Sequence, residues 1–198
     1  RLLLCLERPT RGQILVNDIN VSDLSQRRLP HYRQNLGAVF QDHHLLADRT
    51  VFDNVAIPLR VSGMPERDIG RRVRAALTRV ELLSKERQLP ASLSTGEQQR
   101  VGIARAVACR PKILLADEPT GNLDPKLSRD IMYLFRQFNQ VGTTVIVASH
   151  DHELIESMGE RVIELEDGAV VRDDDPSGGV AHVPTADEAD GGAPERAG

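Results

Sequence analysis

The run Ile113-Leu114-Leu115-Ala116-Asp117-Glu118-Pro119-Thr120 carries the strongest structural signal in this chain. Four apolar residues end abruptly in two adjacent carboxylates and a proline. A short, continuous apolar run is the pattern of a strand covered on both faces, as in parallel sheets. Asp117 and Glu118 then fall at the carboxyl edge of the strand, where open α/β sheets bind ligands. In phosphoryl-transfer sites of this kind the first acid helps hold Mg2+, and a second orients or deprotonates the attacking water. Taken alone, Asp-Glu-Pro also reads as a solvated turn after a strand.

Working outward, Ser94-Thr95-Gly96-Glu97 is a Ser-x-x-Glu capping box that opens a helix running to about Ala108. A helix N-terminus with small residues has free backbone N–H groups and a positive dipole end, so it can receive a phosphate. An ordinary capped helix has the same pattern. Downstream, Asp124 is an N-cap with Pro125 at the first helical position, and Ile131, Leu134, Phe135 and Phe138 form a buried stripe. Leu36–Phe40 and Thr144–Ala148 are two further buried strands, and Gly12–Asn17 is a short one. Val162–Leu165 and Ala169–Val171 flank Asp167-Gly168 as a hairpin. Residues 1–6 read as the end of a buried helix, stopped by Glu7-Arg8-Pro9.

From Pro65 the period becomes helical. Ile69, Val73, Ala76, Leu77 and Val80 share one face, while Arg67, Arg71, Arg72, Arg74 and Arg79 fall mainly elsewhere. Those arginines suit a solvated face, or a contact with anionic lipid or an acidic partner. Alternating strands and amphipathic helices predict an α/β fold with a mostly parallel sheet, interrupted over about residues 42–108 by a helical subdomain.

Composition narrows the function. The chain has 198 residues, 40% of them hydrophobic, and no uncharged apolar stretch of membrane-spanning length. Cys5 and Cys109 stand far apart without zinc-ligand spacing, which fits a reducing compartment. The net charge of -4 is uneven: residues 173–198 hold seven acids against Arg196 alone, leaving the rest mildly basic. That distribution, with six aromatics and no Trp, is not a nucleic-acid-binding signature. The acidic, Gly/Pro-rich end carries too few large apolar residues to offset its ordering entropy, and disorder is expected there.

Read together, the motifs resemble those of the ATP-binding-cassette (ABC) ATPases, a branch of the P-loop NTPases. Leu93-Ser94-Thr95-Gly96-Glu97-Gln98-Gln99-Arg100 looks like the family's signature motif, and Ile113–Glu118 like its Walker B segment. Phe40-Gln41-Asp42 is similar to the Q-loop, Gly121-Asn122-Leu123-Asp124 to the D-loop, and Ser149-His150-Asp151 to the switch-histidine loop. The stretches Phe40–Leu59 and Leu93–Ala106 are closest to the branch of the family that acts in bacterial cell division. The resemblance covers about residues 1–172 as one ATPase domain and leaves 173–198 as a tail.

The resemblance implies ATP as substrate and Mg2+ as cofactor, with Asp117 holding the metal and Glu118 as the catalytic base. Gln41 would sense the γ-phosphate and metal while its loop touches a membrane partner, and His150 would contact the γ-phosphate. Ser94 and Gly96 would bind the nucleotide of the opposite subunit, and Asp124 would communicate across the interface of a head-to-tail homodimer. The implied setting is the cytoplasmic face of the bacterial inner membrane, peripherally attached to a polytopic membrane protein of the FtsX type. Two readings compete: the ATPase subunit of a lipoprotein-releasing or macrolide-exporter system, and a non-catalytic, truncated regulatory protein.

Two departures stand out. The signature normally reads Leu-Ser-Gly-Gly, and Thr95 replaces the first glycine, crowding a turn that must approach phosphate closely. In addition, no Gly-x-x-x-x-Gly-Lys-Ser/Thr occurs in the 198 residues. That loop supplies the amide cradle, the lysine and a Mg2+ hydroxyl. The expectation is that it lies upstream of Arg1 and that these residues alone bind ATP poorly and hydrolyse little or none. His43 and His44 have no third ligand nearby at metal-site spacing.

Overall fold

In the computed structural model, which describes residues 1–174 and 176, the chain opens with a turn, not with the expected helix end. The Cys5 N–H donates to Leu2 O at 2.9 Å, and Cys5 sits at φ +51, off any right-handed helical path. Leu2 and Leu6 are exposed. The expected Gly12–Asn17 strand is shorter: β1 (Leu15–Val16) pairs antiparallel with β2 (Ile19–Asn20). Asn17 and Asp18 both take positive φ between them, a backbone these two residue types tolerate in tight hairpins. Val21 and Leu24 then pack with Leu29 and Tyr32 of α1 (Leu29–Arg33) in a small core, and Tyr32 Oη donates to Leu3 O at 2.8 Å.

The unit Arg1–His150 is organised by three parallel strands, β3 (Leu36–Phe40), β4 (Ile113–Asp117) and β5 (Thr144–Ala148), in the order β3-β4-β5. The register runs straight across: Leu36 opposite Ile113 opposite Thr144, and Phe40 opposite Asp117 opposite Ala148. One face, containing Gly37, Val39, Leu114 and Ala116, is buried. The other is only partly covered, and Ile146 on β5 is 46% exposed. The expectation of three strands covered on both faces is corrected here. An apolar run reports a strand's composition, whereas coverage depends on which elements pack against it.

Three helices separate β3 from β4 in sequence: α2 (Val51–Val61), α3 (Glu66–Arg79) and α4 (Thr95–Val107). They pack on one another through Val55, Leu59, Ile69, Val73, Leu77 and Ile103, all essentially buried. Thr50 caps α2, accepting from the Asp53 N–H at 3.1 Å, and Asn54, buried at the helix's first turn, ties down the preceding loop through Leu46. α4 also packs on β3, and closely: a Cβ added at Gly37 would lie 2.7 Å from Ala106 O. Glycine is required there because two backbones meet. α5 (Pro125–Gln140) joins β4 to β5 and buries Ile131, Leu134, Phe135 and Phe138, the predicted stripe.

The second unit begins at Asp151. Asp151 caps α6 (His152–Met158), and Gly159 ends it in the left-handed region. β6 (Val162–Glu166) and β7 (Ala169–Asp174) form the predicted hairpin, with Asp167 and Gly168 both at positive φ. Asp173 and Asp174, expected in the acidic tail, complete β7, and Asp173 accepts two bonds from Arg161 at 2.8 and 2.7 Å. The rest of that expected tail, Pro176 aside, lies outside the described residues.

Candidate functional site

Because the three parallel strands are in register, the residues that follow them leave the sheet at one edge. Gln41 follows β3, Glu118 follows β4, and Ser149-His150 follow β5. Asp117 ends β4 between Phe40 and Ala148 and is exposed. The Glu118 N–H donates to Ala148 O at 2.9 Å, extending the strand pairing by one residue. Glu118 then turns at φ +46, a sparsely populated conformation for a residue with a side chain.

Glu118 Oε1 lies 2.8 Å from His150 Nδ1. A carboxylate can only accept, so the proton of this bond sits on Nδ1. Glu118 Oε2 is buried with no hydrogen-bond partner among the described residues. A buried acceptor without a donor is costly and calls for one, such as a water proton. Gln41 rests against the turn after Glu118: a Cβ added at Gly121 would meet Gln41 Nε2 at 3.1 Å, while the Gly121 N–H reaches Glu118 O at 3.2 Å. Gln41, Asp117, Glu118 and His150 are thus brought to one sheet edge.

Ser94, Gly96 and Asp124 form a second group. Ser94 Oγ accepts from the Glu97 N–H at 3.3 Å, and Glu97 Oε2 accepts from the Ser94 N–H at 3.0 Å, completing the capping box. The Lys85 ammonium, 2.5 Å from Glu97 Oε1, holds that carboxyl below the usual carboxylate range. Asp124 Oδ1 caps α5, accepting from the Lys126 and Leu127 N–H groups at 3.0 and 3.1 Å. Leu127 in turn packs on Gly96, where an added Cβ would meet its Cδ1 at 3.0 Å. Thr95 is the exposed first residue of α4.

Two residues that sequence reasoning missed connect these groups. Gln99 is 1% exposed, and its Nε2 donates to Pro119 O at 2.6 Å, tying α4 to the turn beyond Glu118. Its signal was available: Gly96, Gln99 and Ile103 share the buried face of α4, so a polar residue stands where an apolar one is expected. Arg105 donates to His44 O and His43 O at 2.8 and 2.7 Å, fixing the loop that follows Gln41. Burial pushes the Arg105 guanidinium and the His43 imidazole below their ordinary pKa values. Nothing in the sequence marks Arg105, because its partners lie about sixty positions away.

Among the described residues, no cluster of three or more His, Cys, Asp or Glu could hold a metal ion alone. The oxygens at the sheet edge, from Asp117 and the Gln41 amide, are the hard donors that suit Mg2+, which binds through one or two protein groups together with phosphate and water.

The family model "ABC transporter" matches residues 1–121. The chain is 51% identical over 182 residues to the cell division ATP-binding protein FtsE of Escherichia coli K12, covering 92% of this chain and 79% of that one. Against the FtsE of Mycobacterium tuberculosis H37Rv it is 52% identical over 174 residues, covering 88% and 76%. Among solved structures, it superposes with a TM-score of 0.77 on the ATP-binding cassette MJ0796, a dimer in a post-hydrolysis state bound to ADP and Pi. The identity is 36%, covering 88% of this chain and 78% of that one. Its TM-score is 0.81 against cbiO1 of Clostridium perfringens, part of the ABC transporter complex cbiONQ, at 30% identity, covering 89% and 70%.

Proposed function

The chain belongs to the ABC transporter ATPase family, and from that premise we propose that it is the ATP-hydrolysing subunit of an FtsE–FtsX-like complex in bacterial cell division. The observation that carries the reading is the Glu118–His150 pair at the sheet edge, with Glu118 Oε2 buried and without a partner among the described residues. The identity of about half to FtsE proteins of distant bacteria supports the cell-division assignment over an exporter.

In this reading a water at the γ-phosphate gives its proton to Glu118 Oε2 as its oxygen attacks phosphorus. The bond from that phosphorus to the β,γ-bridging oxygen breaks, and ADP and inorganic phosphate leave. His150 holds the base in place: with Nδ1–H donated to Oε1, the carboxylate cannot rotate away without losing a charge-assisted hydrogen bond. Gln41 and Asp117 would hold Mg2+, which when bound neutralises charge on the phosphate oxygens. Gln41 also bears on Gly121, so a shift of its loop reaches the turn after the base. An open cleft lined by Gln41, Asp42, Leu45, Pro90, Gln98 and Asn122 is the surface on which the membrane partner would dock.

Ser94 and Gly96, at the capped N-terminus of α4, would complete the nucleotide site of a second copy. Asp124, packed behind them through Leu127, would report closure to the opposite subunit. The dimeric state of the MJ0796 structures supports a homodimer, which we read as head-to-tail. Among the described residues no helix is long and apolar enough to cross a membrane, and attachment would run through the FtsX-type partner at the cytoplasmic face.

The test is affinity purification of the full-length protein from its own membranes, combined with depletion. Recovery of a polytopic FtsX-type protein and filamentation on depletion are the expected results. Recovery of a lipoprotein-releasing or macrolide-export permease with normal division would refute the assignment.

A further inference from the structure

The five arginines of α3 do not share one role. Arg67 and Arg71 pair with Asp68, and Arg74 pairs with Glu86 at 2.9 Å. Arg72 and Arg79 have no ion pair among the described residues, and both line a cleft of about 510 Å3 at the end of the sheet remote from Asp117. Its rim is completed by Arg110 and Lys112, just before β4, and by Gly142 and Thr143, just before β5. Among the described residues, neither Arg110 nor Lys112 has an ion pair and no acidic side chain lines the cleft. Its floor is apolar, built from Ala76, Val107 and Phe138.

Two details distinguish this cleft from an ordinary solvated face. Arg72 is half-buried in the wall of the cleft, packed against the protein and not spread into solvent. Arg110 is held at φ +54, a strained conformation for arginine, at the rim of the cleft. Four cationic side chains around a concave, small-molecule-sized space, with no carboxylate lining it among the described residues, suit a multiply charged oxyanion. Guanidinium groups match phosphate oxygens in geometry as well as charge.

We propose that this cleft, bounded by Arg72, Arg79, Arg110 and Lys112, is a second anion site that takes a phosphate-bearing ligand. It is separate from the nucleotide edge and does not depend on the function proposed above. The phosphate could be carried by a soluble compound or by a lipid headgroup, and the experiment separates the two.

The full-length protein, with its nucleotide site saturated by a non-hydrolysable ATP analogue, is titrated with pyrophosphate by calorimetry at low salt. In parallel it is sedimented with phosphatidylglycerol vesicles. The variant Arg110→Gln/Lys112→Gln changes exposed residues outside the core. Losing two charge-assisted contacts should weaken binding about tenfold or more. The control Arg67→Gln/Arg71→Gln removes equal charge from the same region and should leave binding unchanged. Pyrophosphate binding that the cleft variant weakens identifies a soluble ligand. Vesicle binding that it weakens, without pyrophosphate binding, identifies a headgroup. Absence of both, or an equal loss in the control, overturns the site.

Discussion

Two glycines, one on β3 and one in the middle of α4, should respond to the same substitution with opposite signs. At Gly37 on β3, an alanine methyl would lie 2.7 Å from Ala106 O, 2.9 Å from Leu114 Cδ1 and 3.0 Å from Pro111 Cγ. The first neighbour is backbone and cannot rotate aside, so α4 must lift from the sheet. Overpacking of this kind costs about 1–3 kcal/mol, against which a loss of unfolded-state entropy returns about 0.4–1 kcal/mol. The net expectation for Gly37→Ala is a destabilisation of about 1–2 kcal/mol. At Gly102, in the middle of α4, an added methyl meets nothing within 4 Å. There Gly102→Ala should stabilise by about 0.5–1 kcal/mol from helix propensity alone. Urea denaturation of the full-length protein and both variants, compared by midpoint at constant slope, gives the two differences directly. If Gly37→Ala is as stable as the parent, α4 is not seated on β3 as described. The positioning of Gln99 and Arg105 would then lose its basis.

Further outcomes follow from the site. Ser94→Ala removes the acceptor for the Glu97 N–H and should cost about 1 kcal/mol of stability, read in the same denaturation series. The Lys85 ammonium holds the Glu97 carboxyl below its ordinary value of 4.5, so its stabilisation is complete above that pH and is lost as pH falls through the lower folded value. Glu97→Gln should therefore flatten the acid limb of the stability profile below about pH 4.5 while leaving the shape near neutrality unchanged. His150→Ala removes the donor to Glu118 Oε1 and should lower kcat about a hundredfold or more, with KM for ATP within a few-fold. A change confined to KM would contradict the role given to His150.

The sheet edge could be read from sequence because each ingredient is local. An apolar run that stops at Asp117-Glu118 marks both the strand and its end, and Ser94 with Glu97 marks a helix start within four residues. The hairpin at Asp167-Gly168 is visible for the same reason, since that dipeptide suits positive φ. What escaped the sequence depends on partners distant along the chain. Thr144–Ala148 is as apolar as a fully covered strand, yet Ile146 is nearly half exposed because coverage comes from other elements. Asp173 looks like part of an acidic tail until Arg161 pairs with it across the hairpin. Leu2–Leu6 has helix-compatible residues but turns at Cys5. Arg105 is invisible because its acceptors are backbone carbonyls, which carry no residue identity. The same limit hid the split among the α3 arginines: the sequence shows five cations on a helix, and only the fold shows which have acids beside them.

The central claim is that Glu118 is the base of an ATP hydrolysis cycle run by a closing dimer. Glu118→Gln keeps the shape and the His150 contact while removing the proton acceptor. Size-exclusion chromatography of the full-length variant with Mg2+ and ATP measures the outcome directly. The account predicts a stable dimer that retains ATP and turns over at background rate, whereas the parent returns to monomer as ADP forms. A variant that stays monomeric with ATP, or that hydrolyses it as fast as the parent, would contradict the account.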